Sequence, residues 1–336
     1  MSSLVVQTSF LGDTVLTTPL VSRLAESGPV DVLATRGSAA LLANHPAIRE
    51  VLVYDKRGAD RGVAGFARLA VRLRGRRYDA AYLAQGSVRS AALALAAGVP
   101  RRVGFDTSAG RRMYTALVPY HVELHHAARL LALSGADGDE LRDVPPPRLY
   151  PGDGERAAVD ALLRAAGHDG EPIVALAPGS VWATKRWPYY DQLARLLTAR
   201  GARLAVVGGE EDRPLAEAIA AAAGPGHAPI DAVGKLSLLA SAELIGRAAA
   251  IVTNDSAPQH LASAMGTPTV TIFGPTVPEF GFGPLAPRRA TLGRDALDCR
   301  PCDRHGPRKC PLGHWRCMRE LGAPAVAESV ERLLAR

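Results

Sequence analysis

Thr253-Asn254-Asp255-Ser256-Ala257-Pro258-Gln259-His260-Leu261-Ala262-Ser263-Ala264-Met265-Gly266 is the stretch on which the reading of the fold turns. A short β-branched run over 251–253 ends in polar residues and passes at once into an Ala-rich helical pattern over 258–265. Asp255 and Ser256 stand in the N-cap region, and Pro258 sits just inside the helix. A buried strand feeding directly into a helix is the repeating part of a parallel α/β sheet.

Outward from this stretch the alternation repeats. Strands are expected over 173–177, 204–207 and 269–273, with helices over 189–199, 214–223 and 237–248. The N-terminal half follows the same scheme. Its strands fall at 4–8, 30–34, 50–54, 78–84 and 102–105, and its helices at 16–26, 38–44, 63–73 and 89–97. Such alternation implies right-handed crossovers and two sequential doubly wound domains. The linker is the run Val144-Pro145-Pro146-Pro147 followed by Pro151-Gly152-Asp153-Gly154. The expected division is 1–154, 155–323 and a closing amphipathic helix over 324–336, with Pro324 in its first turn. A chain of 336 residues exceeds what one core organises, which favours two domains.

Composition narrows the class. Apolar residues make up 47% and charged residues 22%, a globular profile. No apolar run approaches the roughly 20 residues of a membrane-spanning helix, and the N-terminus reads as a strand, so a cytoplasmic location is expected. The net charge of +7 is carried mostly by Arg, with Lys only at 56, 185, 235 and 309. A basic surface calls for an anionic partner: a nucleotide, a phosphorylated glycolipid or an anionic leaflet. Aromatic residues at 5% do not supply the stacking platforms of single-strand binders, so nucleic acid is not the expected partner.

In open parallel sheets ligands bind beyond the carboxyl ends of the strands, so the turns there are where chemistry is sought. Thr8-Ser9-Phe10-Leu11-Gly12-Asp13-Thr14 joins the first strand to the first helix. Ordinary capping accounts for Asp13 by itself. The turn lacks Gly-x-Gly-x-x-Gly, and an acid there repels phosphate, so a carboxylate suited to proton abstraction is the functional alternative. Ala177-Pro178-Gly179-Ser180-Val181-Trp182-Ala183-Thr184-Lys185-Arg186-Trp187-Pro188 holds the inventory of a pyrophosphate site: small Gly179 and Ser180, hydroxyls of Ser180 and Thr184, and a mobile charge on Lys185. A solvated loop with one Trp packed at the domain edge is its structural alternative. In the quoted 253–266 stretch, Ser256 and His260 share a helix face one turn from the N-terminus, where free N–H groups suit a diphosphate.

Gly12-Asp13, Pro178-Gly179-Ser180 with Lys185-Arg186-Trp187-Pro188, and Asn254-Asp255-Ser256-Ala257-Pro258-x-His260-x-Ala262 together resemble glycosyltransferase family 9, the heptosyltransferases. Ile272-Phe273-Gly274-Pro275-Thr276 and Cys310-Pro311-Leu312-Gly313-His314 with Cys317-Met318 extend the resemblance along nearly the whole chain, and the Cys-rich tail is most similar to its heptosyltransferase II branch. The resemblance implies an α/β GT-B fold, two Rossmann-like domains facing a central cleft, with acceptor on the N-terminal domain and nucleotide sugar on the C-terminal one. It implies inverting transfer of heptose from ADP-heptose to the inner core of lipopolysaccharide at the cytoplasmic face of the inner membrane, with no cofactor. By position, Asp13 would be the general base. Ser180, Thr184, Lys185, Asp255, Ser256, Ala257 and His260 would surround the donor, with Lys185 also serving catalysis. Leu236 would pack near the nucleoside and Glu211 bind the ribose, Glu210 being the alternative.

Lys56, Arg57, Arg61, Arg111 and Arg112 are candidate acceptor contacts, weighed against a merely solvated basic face. Asp137-Gly138-Asp139 is expected in a polar loop away from the phosphate turns. Cys299, Cys302, Cys310 and Cys317 follow C-x2-C-x7-C-x6-C; reduced packed thiols in a structural loop are expected, a structural zinc being the alternative. The loop is expected to follow Pro275, where the last strand leaves the sheet. Rival readings are another GT-B nucleotide-sugar enzyme with a different donor or acceptor, or a noncatalytic nucleotide-binding module.

Overall fold

The computed structural model describes residues 1–56 and 58–335. The chain divides into two compact units between Tyr150 and Pro151, inside the Pro-rich run. The first holds β1 (Ser3–Gln7), β2 (Val30–Ala34), β3 (Glu50–Val53), β4 (Ala80–Leu83), β5 (Arg101–Phe105) and β6 (Ala116–Val118). The second holds β7 (Ile173–Ala177), β8 (Arg203–Val206), β9 (Ile230–Asp231), β10 (Ala250–Asn254), β11 (Thr269–Ile272) and β12 (Arg289–Leu292).

Every strand pairing is parallel. The sheet orders are β3-β2-β1-β4-β5-β6 and β12-β11-β10-β7-β8-β9. Numbered within its own unit, the second sheet repeats the first: each is the 3-2-1-4-5-6 order of a dinucleotide-type fold. The inner strands β1, β2, β7 and β10 are buried along their whole length, as helices on both faces of a parallel sheet require. That double burial is what makes them legible as continuous apolar runs.

The strands missed from sequence are three of the four at sheet edges, the edge strand β3 having been expected at 50–54. β6, β9 and β12 are two to four residues long and partly exposed, so they carry no such run. The sheet therefore does not end with the strand over 269–273: after Pro275 the chain returns as β12, which pairs with β11. The first helix begins at Leu11 rather than at 16, which places Asp13 in its first turn, with Phe10 at the N-cap. Three helices were not anticipated, His126–Ala132, Gly138–Arg142 and Arg316–Arg319. The second corrects the reading of Asp137-Gly138-Asp139 as a loop: Asp137 is its N-cap, and Asp139 is an exposed first-turn acid paired with Arg142 at 3.4 Å.

The terminal helix Ala323–Leu334 belongs to the core of the second unit, where Val326, Ala327 and Val330 join Trp187 and the strands. Trp187 is a core residue, its indole N–H donating to the Leu321 carbonyl at 2.8 Å. At these described residues no helix is long and apolar enough to cross a membrane.

Candidate functional site

In the 3-2-1-4-5-6 order the crossovers run in opposite directions from the first and fourth strands, which opens a crevice at their carboxyl ends. In the second unit these strands are β7 and β10. The turn after β7 carries Pro178-Gly179-Ser180, and the end of β10 carries Asn254-Asp255-Ser256, so residues some 75 apart in sequence become neighbours. Asn254 locks the two ends together. Its amide donates to the Pro178 carbonyl at 2.8 Å, and its Oδ1 accepts from the Trp187 N–H at 3.2 Å.

Across this point lies a buried ion pair. Lys185 Nζ donates to Asp255 Oδ2 at 2.6 Å, and both side chains are about one-tenth exposed. Lys185 is thus not the mobile charge expected from its loop: the sheet order brings Asp255 against it. The carboxylate is held from two further sides. Thr276 Oγ1 donates to Oδ2 at 2.6 Å, and Gln259 Nε2 donates to Oδ1 at 3.0 Å. Both residues stood inside quoted motifs, Thr276 closing the Gly-Pro-Thr run and Gln259 as the unspecified position before His260. Only the pairing was invisible.

The helix Ala257–Met265 begins at this pair. Ser256 is its N-cap, Pro258 lies in its first turn, and His260 is buried one turn in. Ser180 faces the crevice half-buried, its hydroxyl accepting from the Trp182 N–H at 3.3 Å. Thr184 is buried and donates its hydroxyl to the Pro307 carbonyl, tying the turn after β7 to the Cys-rich segment. Gly179 is small for a reason other than anion approach. A Cβ there would lie 2.2 Å from the Asp212 carboxylate, a group that burial raises above the usual carboxylate range and that accepts from the Gly209 N–H. Glu210 pairs with Arg213 at 3.2 Å, whereas Glu211 is exposed with no hydrogen bond or ion pair among the described residues. Leu236 is half-buried just before the helix Leu238–Arg247.

The first unit repeats the geometry with different chemistry. Its crevice lies between β1 and β4, where Thr8 Oγ1 donates to Gln85 Oε1 at 2.5 Å. Asp13 stands on the first turn beyond β1, its side chain one-fifth exposed. Ser9 Oγ donates to its Oδ2 at 2.6 Å, and His126 Nε2 lies 3.9 Å from its Oδ1. Lys56 reaches the same turn, donating to the Thr8 hydroxyl at 2.8 Å and carbonyl at 3.1 Å. Burial and the nearby Arg89 lower its pKa from the ordinary value. Arg61, Arg111 and Arg112 are exposed, the last two in a short 3-10 turn after β5, and Arg57 lies outside the described residues. Ser9 and His126 were not anticipated: one is a common turn residue, and the other comes from a helix that sequence periodicity did not reveal.

A family model for glycosyltransferase family 9 (heptosyltransferase) matches residues 66–315, spanning the last strands of the first unit and nearly all of the second. The chain belongs to this family. Lipopolysaccharide heptosyltransferase 2 of Escherichia coli is 28% identical over 299 residues, covering 83% of this chain and 84% of its own length. Lipopolysaccharide heptosyltransferase 1 of Pseudomonas aeruginosa is 30% identical over 319 residues, covering 90% and 86%. Among solved structures, a family 9 glycosyl transferase from Veillonella parvula superposes with a TM-score of 0.88 at 21% identity, covering 99% of this chain and 97% of its own. E. coli ADP-heptose lps heptosyltransferase II superposes at 0.80 and 24%, covering 100% and 99%. Two Rossmann-type α/β units in tandem are therefore the GT-B fold of this family.

In this family 9 chain the four cysteines are free thiols. Cys302 donates to the Cys299 carbonyl at 3.1 Å. Burial opposes ionisation of Cys310, but backbone N–H groups of Trp315, Leu312, Gly313 and His314 outweigh it and hold its pKa below the ordinary thiol value. Burial, with the other thiols nearby, pushes Cys317 up to about 11. Among the described residues no group of three or more His, Cys, Asp or Glu is arranged to hold a metal ion. The segment does form a wall beside the lysine: a side chain at Gly306 would meet Lys185 Cε at 3.2 Å.

Proposed function

We propose that this chain transfers a heptose from ADP-heptose to the inner core of lipopolysaccharide, by single displacement with inversion and without a metal ion. Family membership and the names of the relatives support the sugar and the acceptor. The buried Lys185–Asp255 pair at the second switch point is the observation that carries the donor site. Switch-point crevices bind nucleotides, and a lysine held rigidly beside a helix N-terminus is a preorganised counter-charge for a diphosphate.

The acceptor hydroxyl attacks the anomeric carbon as the bond to the β-phosphate oxygen breaks, through an oxocarbenium-like transition state. Asp13 takes the hydroxyl proton, its carboxylate oriented by the Ser9 hydroxyl on Oδ2 and by His126 beside Oδ1. Lys185 and the N–H groups opening the helix Ala257–Met265 stabilise the charge growing on the departing ADP. Asp255 is a positioning residue: clamped by Thr276 and Gln259, it holds the ammonium in place. Glu211, left without an ion pair where Glu210 has one, is the ribose contact; Ser180, Ser256, Ala257 and His260 line the diphosphate and sugar. Lys56 beside the Asp13 turn, with Arg61, Arg111 and Arg112, meets acceptor phosphates at the cytoplasmic face of the inner membrane.

Mass spectrometry of lipopolysaccharide from a deletion strain tests the reading. Loss of heptose, restored by the intact gene and not by an Asp13→Asn copy, is expected. An unchanged core would overturn it.

A further inference from the structure

We propose that the helix Gly62–Gly75, together with the helix Val88–Ala96 beside it, docks the first unit onto an anionic phospholipid surface. The inference deepens the membrane-embedded acceptor reading above and rests on it. Charge is the first observation. Residues 1–150 contain 19 Lys and Arg against 13 Asp and Glu, while residues 151–336 contain 21 against 20. The excess therefore sits almost wholly in the first unit. Within it, 61–77 contains Arg61, Arg68, Arg72, Arg74, Arg76 and Arg77 and no acid.

Arg76 is neutralised by Glu50 and Asp31. Among the described residues Arg68 and Arg74 bond to the carbonyls of Ala59 and Ala96, which orient a guanidinium without cancelling its charge. Surface helices of the second unit mix their signs instead. Arg156 pairs with Asp153, Arg247 with Glu243 and Asp160, and Arg332 with Glu328.

The second observation is apolar exposure on the same helix. Val63 is 85% and Val71 69% exposed, with exposed Ala67 midway; positions i, i+4 and i+8 form one stripe. The packed neighbour adds Val88 and Leu95, 52% and 47% exposed and two turns apart on one side. Arginines flanking small apolar side chains fit a headgroup layer: guanidinium groups pair with phosphates while the valines enter the acyl boundary. Water alone gives no reason for the valines, and a free anion gives none for the stripe.

The test is flotation of the full-length protein with phosphatidylcholine vesicles, with and without phosphatidylglycerol. Wild type should float only with phosphatidylglycerol and be released by high salt. Arg68→Glu with Arg72→Glu should lower partition by roughly tenfold or more. Val63→Ser with Val71→Ser should weaken it on the same vesicles. Arg164→Glu with Arg195→Glu, on the second unit, should leave it unchanged. Unaltered ADP titration and transfer to an acceptor stripped of its fatty acyl chains would show that the variants are folded. Wild-type partition in the Arg68/Arg72 variant, equal loss in the second-unit control, equal binding to pure phosphatidylcholine, or tighter binding to a short single-stranded RNA would each overturn the proposal. If vesicle binding behaves as expected but the wild type extends no lipopolysaccharide acceptor, the acceptor reading fails and the docking face stands.

Discussion

The turn after β1 and the turn after β7 occupy the same place in two copies of one topology, yet they carry opposite charge. After β1 the chain presents an acid, Asp13, against Ser9 and His126. After β7 it presents small residues and then Lys185, sealed against Asp255. In the proposed reaction the strand order places the ligands, and the sign of the side chain at each crevice sets which part of the chemistry falls there. The difference extends to desolvation. Asp13 is one-fifth exposed and keeps some contact with water, which suits the proposed role of base. The Lys185–Asp255 pair is nearly dry, where each charge depends on the other.

Substituting Asp13 is the most severe way to test that contrast. Asp13→Asn should lower turnover by about 10²–10⁴-fold, the usual loss on removing a general base. ADP affinity by isothermal titration should stay at the wild-type level, because the residue belongs to the other unit. Parallel loss of ADP binding would erase the division of labour.

The buried pair should respond in both activity and stability. Asp255→Ala leaves an uncompensated buried ammonium and should cost about 3–5 kcal/mol in urea denaturation. Lys185→Ala should weaken ADP binding about tenfold or more, as loss of a charge-assisted contact does. Thr276→Val removes one clamp only and should lower kcat more than it raises KM, with Thr276→Ser restoring it. If Thr276→Val matched wild type in kcat, the clamp would be mere packing.

Acid should separate the units more gently. Burial lowers the pKa of His45, in the first unit, to about 4. Between there and the ordinary value near 6.5, the unfolded chain binds a proton that the folded chain refuses. Stability is therefore complete above pH 6.5 and lost as pH falls toward 4, by on the order of 2–3 kcal/mol. His45→Phe, which keeps the ring against Tyr150, should flatten that decline. All three Trp lie in the second unit, so the acid effect should be larger in far-UV circular dichroism than in Trp emission. The smallest expected effect is none: transfer should continue in EDTA, and a strict need for magnesium or manganese would end the account of Lys185 as the counter-charge.

Much of this was legible in the residues alone. Doubly buried strands are mostly apolar, so β1, β2, β7 and β10 stood out as runs even with Asp31 buried in β2, and the polar residues that end them marked Asp13, Ser180 and Asp255. β6, β9 and β12 are edge strands of two to four residues without a run of β-branched residues and were not legible, whereas the edge strand β3 carries Val51-Leu52-Val53 and was. The partners of the site residues were not legible either. Lys185 and Asp255 are 70 residues apart, and Thr276 lies 21 beyond Asp255; their meeting depends on β10 lying between β7 and β11. Local sequence determines which groups stand at strand ends, because capping, turns and periodicity act within a few residues. Which of those groups touch, and so whether a lysine is a free charge or one half of a buried pair, was decided only by the order in which the strands assemble.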